Sequence, residues 1–118
     1  MGNVLDAIIK KVMLEGPVTI DSTEYSTVVD ISGVENSFGI QLHYDNGVGL
    51  DADLSLEISV DDQAYIEIPE SVVTVTDADG SHIWDLGELG SNYIRVKIVV
   101  NSGSMDITRI NFSGKRRH

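Results

Sequence analysis

The sequence predicts an all-β protein: an antiparallel β-sandwich or jelly-roll-like domain of about eight strands, with a short N-terminal helix or arm. Three observations lead there. First, three stretches alternate apolar with polar residues: Phe38, Ile40, Leu42, Tyr44; then Leu54, Leu56, Ile58, Val60; then Ile94, Val96, Ile98, Val100. A period of two puts one face of a strand into a core and the other into water. Second, turn chemistry recurs between these runs, at Ser32-Gly33, Asp45-Asn46-Gly47, Asp61-Asp62, Asp77-Ala78-Asp79-Gly80, Gly90-Ser91 and Ser102-Gly103. Asn-Gly and Asp-Gly suit positions where φ must be positive. Third, turn signals spaced by about 8–12 residues belong to antiparallel sandwiches and not to βαβ units.

The elements follow in order. Val4, Leu5, Ile8, Ile9 and Val12 fall at i, i+1, i+4, i+5 and i+8. That is one helical stripe, with Asn3 as N-cap and Gly16-Pro17 as stop. The β-branched residues in it leave an extended arm as the alternative. Shorter strands are expected at 17–21, 25–31, 64–68, 72–76, 82–86 and 104–112. In the last, Ile107, Ile110 and Phe112 break alternation, and a bulge near Thr108 would turn all three inward. The organisation is then an arm or helix over 1–16, a sandwich over 17–114 and a basic tail over 115–118. Trp84 is expected as a core plug whose indole N–H reaches a loop carbonyl. Arg95 and Lys97 are expected on an outward face, paired with acids of adjacent strands.

Composition narrows the function. At 118 residues the chain can bury a real core. It has no cysteine, which excludes a disulfide framework, a thiol nucleophile and a Cys-based zinc site. Three of its eight Lys+Arg lie in the last four residues, so residues 1–114 carry five cations against 19 carboxylates, a formal charge of −14. Such a body repels nucleic-acid backbones, leaving only weak contact by the basic tail. No apolar run approaches the roughly 18 residues of a membrane span. The opening MGNVLDAIIKKVMLEG does not read as a secretory leader, because Asp6 interrupts it and the lysines follow its apolar residues.

The residues that could carry chemistry do not assemble into a motif. No G-x-S-x-G elbow and no phosphate-cradling Gly-rich loop is present. His43 and His82 lack metal-ligand spacing. Asp51-Ala52-Asp53, Asp61-Asp62 and Asp77-Ala78-Asp79-Gly80 offer hard oxygen ligands, and the last is like a fragment of a calcium loop. It lacks the third Asp and the distal Glu, and capping of turns by Asp accounts for these clusters. No enzyme activity and no cofactor are expected, with structural calcium the remaining metal candidate.

Several segments together resemble small β-sandwich virion proteins of bacteriophages. They are Ser59-Val60-Asp61 at a strand end, the "G-S-x-x-W-D" run from Gly80 to Asp85, "Y-I-R-V" from Tyr93 to Val96, the Ser102–Ser104 turn, and the close from Phe112 to Lys115. The resemblance implies a structural subunit of the particle, a capsid decoration, cement or spike protein, located in the virion. It also implies other virion proteins as partners and homo-oligomerisation. A free stripe of Val4, Leu5, Ile8, Ile9 and Val12 would be an exposed apolar patch, so it either packs on its own sandwich or docks on a partner. With Lys115, Arg116 and Arg117 it makes up the expected assembly handles. The Trp84 to Val96 segment also looks like the end of discoidin-type carbohydrate-binding modules. An exposed Trp84, or a platform of Tyr25, Tyr65 and Tyr93, would favour that rival.

Overall fold

A computed structural model describes residues 7–32, 34–87 and 89–116. Eight strands form one antiparallel sheet: β1 (Ala7–Ile20), β2 (Thr23–Tyr25), β3 (Val29–Asp30), β4 (Val34–Ser59), β5 (Ile66–Glu67), β6 (Val73–Val75), β7 (Gly80–Leu86) and β8 (Tyr93–Arg116). The all-β, sandwich-like architecture expected from the alternation is what forms.

Two strands make the architecture. β4 and β8 pair along nearly their whole length, and both bend at the same place. Their register slips repeatedly between Asp45 and Ala52. Asn46, Gly49 and Gly103 take positive φ there, at 54°, 56° and 76°. Bulges and left-handed residues sharpen twist and let one strand pass from one layer to another. Residues 34–44 and 104–116 therefore lie in a first layer, ordered β7-β4-β8-β1. Residues 52–59 and 93–100 lie in a second, flanked by β5 and β6 on one side and by β2 and β3 on the other. The stretches Asp45-Asn46-Gly47 and Ser102-Gly103, which read as turns in sequence, are bends inside continuous strands.

The core lies between the layers. Ile40, Leu42, Leu54, Leu56, Ile94, Ile98, Ile110 and Phe112 are buried in one cluster. The expected bulge is present: Arg109 pairs with His43 and Ile107 with Tyr44, so Thr108 is left out of the ladder. Ile107, Ile110 and Phe112 consequently all face inward, and the Thr108 hydroxyl donates to the His43 carbonyl at 3.0 Å. Trp84 is buried as expected, its Nε1–H donating to the Ser71 carbonyl at 2.8 Å.

The N-terminal helix does not form within the described residues. β1 is extended from Ala7 and pairs with β8, through Ile9↔Gly114, Lys11↔Phe112 and Ile20↔Met105. Met13 is fully buried, whereas Val12, inside the supposed apolar stripe, is 51% exposed. A short isolated helix is marginal in water. The free edge of residues 105–116 offers main-chain partners instead, and Val and Ile favour an extended backbone. The boundary drawn at Pro17 thus falls inside a strand.

Candidate functional site

The polar side chains converge on the outer face of the second layer. Register places Glu57 opposite Arg95, Ser55 opposite Lys97 and Ser59 opposite Tyr93. These outward positions are nevertheless covered: Ser55, Glu57 and Ser59 are buried. The Arg95 guanidinium meets the Glu57 carboxylate at 2.8 Å, and Lys97 approaches it at 3.9 Å. Tyr25 and Tyr65 hold the guanidinium between their rings, at 4.1 and 4.0 Å from the ring centroids. Such stacking leaves the guanidinium edge free for the carboxylate. Ser55 completes the face by donating to Glu67 at 3.0 Å.

Tyr65 is delivered by a turn that ties itself together. The Asp61 carboxylate accepts from the Ser59 hydroxyl and from the amides of Gln63 and Ala64, at 2.9 to 3.1 Å. These bonds hold the Asp61 carboxyl below its ordinary range, chiefly through the Gln63 and Ala64 amides. Asp62 sits at φ 60° and accepts from the Tyr65 hydroxyl. Burial, then the bond and charge of Asp62, push the Tyr65 phenol up to about 12.

Behind the same turn opens an apolar cleft of about 390 Å³, lined by Ile58, Val60, Ala64 and Ile66, with Ser59, Asp61 and Ser91 at its polar positions. Val60 and Ile66 are 63% and 70% exposed. Ser91 is buried, and its hydroxyl has no hydrogen-bond partner among the described residues.

The expected handles are brought together in part. Strand register sets Ile8 opposite Lys115 and Ala7 opposite Arg116, with Val34 and Glu35 of β4 on the other side of that pair. Ile9 is half-buried, and Lys10, Lys11 and Val12 are exposed on β1. Lys115 and Arg116 belong to β8, so the tail begins inside a strand. Val4, Leu5 and Arg117 lie outside the described residues. This end of the sandwich is also the cleft's end. A relay of backbone bonds, Asn92 to Ser59, Ile31 to Asn92 and Val34 to Ile31, joins the two layers there.

The other candidates are spread out. His43 and His82 stand in β4 and β7, and His82 packs edge-on against Trp84 at 4.7 Å between centroids. Among the described residues no three His, Asp or Glu side chains group in a manner suited to a metal. The Asp53 carboxylate takes Thr74 and Asn101 as donors, and Asp106 takes Thr19 and Asn46. Sequence reasoning missed the cleft and Ser91. The alternation of Leu54, Leu56, Ile58 and Val60 points to a core face throughout, whereas Val60 is exposed at the cleft.

No protein-family model matches this chain, and no curated protein matches it in sequence. Solved structures do match in shape. One is the T13 IBDV viral particle, at TM-score 0.68 and 12% identity, over 94% of this chain and 31% of that one. A second is the SPBc2 prophage-derived protein YomS, at TM-score 0.61 and 6% identity, over 98% of both chains. A third is the enzymatically active domain of tailspike protein 4 from Bacteriophage CBA120, at TM-score 0.59 and 8% identity, over 97% of this chain and 18% of that one. The chain spans about a third of the viral-particle protein it matches, and at these identities what it shares with all three is the fold.

Proposed function

We propose that the chain is a non-enzymatic structural subunit of a virus or bacteriophage particle, a capsid-associated decoration, cement or spike protein acting through protein–protein contacts. One observation carries this reading. The strand register sets Ile8, in the middle of the N-terminal stripe, opposite Lys115, the first residue of the basic tail, on a body that is otherwise acidic. A single compact docking end results, with Lys10 and Lys11 exposed next to it. The fold shared with viral and phage proteins supports the same reading. So does the outer polar face, where Glu57, Arg95 and Asp61 bind one another or their own turn.

The test is incorporation into particles. Deleting residues 1–14 would remove half of β1 and the buried Met13, so the informative changes are smaller. Removal of residues 1–6, and separately Lys10→Glu with Lys11→Glu, should each cut the copies per particle at least tenfold while the melting temperature holds. Full incorporation of both variants would overturn the reading. A sugar-binding module is the second reading, favoured by Tyr25, a residue 43% exposed on the outer face. Trp84 is buried, and Arg95 covers one face each of Tyr25 and Tyr65. Glycan-array binding by the purified chain, lost in Tyr25→Ala, would support that reading.

A further inference from the structure

We propose that the cleft behind the Asp61 turn receives residues 1–6 of a second copy of this chain, seating one aliphatic side chain of the Val4-Leu5 pair. This rests on the reading of the N-terminal stripe as an assembly handle, and it names what the handle docks into.

Three features of the cleft point to that occupant. Val60 and Ile66 stand mostly exposed around a cleft of about 390 Å³, and aliphatic side chains so placed gain by being covered. Ser91 makes the cleft specific. Its buried hydroxyl has no partner among the described residues, which is costly, and a purely hydrocarbon ligand leaves that cost in place. An incoming peptide supplies both the aliphatic side chain and a main-chain group for the hydroxyl. β5 adds a short edge, since Ile66 and Glu67 pair only with β4. Extended segments dock on such edges through their backbone.

Placement selects a second copy over the chain's own segment. β1 and β5 lie on opposite edges of the sandwich. The segment before Ala7 therefore starts from the edge away from its own cleft, the edge that a second copy would have to meet. Six extended residues reach about 20 Å, enough to enter a neighbour packed at that end. Charge agrees: Lys10 and Lys11 follow the segment, and the Asp61 carboxylate lines the cleft.

The absence of native cysteine provides the test. Leu5→Cys and Ile66→Cys chains, prepared separately and mixed under mild oxidation, should give a covalent heterodimer in at least fivefold excess over either homodimer. Adding Val60→Glu to the Ile66→Cys chain should abolish it. Ser91→Ala should weaken self-association several-fold in light scattering without lowering the melting temperature of the dilute monomer. Random cross-linking, or a disulfide forming within one chain of the double-cysteine variant, overturns the inference. If cross-linking fails while removal of residues 1–6 still blocks incorporation into particles, the handle grips a different protein and only this inference falls. If incorporation is also unaffected, the broader reading falls with it.

Discussion

At the scale of single residues, Ser71 does the work of a missing strand. Its hydroxyl accepts from the buried Leu56 amide at 2.9 Å and donates to the Ile68 carbonyl at 2.6 Å, while its own carbonyl holds the Trp84 indole. Ser71→Ala leaves the Leu56 amide without a partner and should cost about 1–3 kcal/mol, read from urea midpoints. Trp84→Phe orphans the Ser71 carbonyl and opens a void, and a loss of about 2 kcal/mol is expected in the same assay. His82 supplies a pH test. Burial lowers its pKa, so the fold favours the neutral ring, whereas the unfolded chain takes up a proton near 6.5. Stability is therefore full above that value and declines as pH falls through the lower folded pKa. His82→Gln should flatten thermal stability across that window while leaving the region above it unchanged. Trp84 was legible in the sequence because a lone indole among alternating apolar residues has few other places to go. Ser71 was not, because its bonds to Leu56 and Trp84 span 15 and 13 positions and nothing local identifies those partners.

At the scale of elements, the second layer has interrupted edges on both sides. Between β2 and β3 the Ser26 hydroxyl accepts from the Val96 amide at 2.9 Å, as Ser71 does for Leu56 between β5 and β6. Broken edges patched by hydroxyls offer no long template for unwanted pairing. The bends of β4 and β8 were misread as turns for a physical reason. Asn-Gly and Ser-Gly signal positive φ, and a hairpin and a bend both need it. Gly103 shows the constraint most sharply, because a Cβ there would meet the Val48 carbonyl oxygen at 2.1 Å and the Gly49 one at 2.4 Å. Gly103→Ala should destabilise by more than about 3 kcal/mol or prevent folding, as judged by soluble yield and circular dichroism. Of the two alternatives for the N-terminal segment, helix or extended arm, the extended one forms from Ala7 on, although its apolar spacing satisfies a helix locally. What decides its conformation is the free edge of β8, whose residues 105–116 lie some hundred positions away.

At the scale of the whole molecule, charge is segregated. Arg95 and Lys97 face Glu57, and Arg109 approaches Glu15 at 3.5 Å on the surface. The remaining cations, Lys10, Lys11, Lys115, Arg116 and Arg117, fall at the beginning and end of the sequence, on or next to one strand pair. Added salt should weaken any docking through that end, whereas exposed ion pairs such as Arg109–Glu15 contribute little to stability. The sharing of β4 and β8 between layers has a further consequence. Neither layer owns a complete set of strands, so neither can melt while the other persists. Unfolding should be all-or-none, with Trp84 fluorescence and far-ultraviolet dichroism tracing superimposable curves. The slowest-exchanging amides should run along both long strands through the bend, and refolding should be slow, since these pairings join distant parts of the chain.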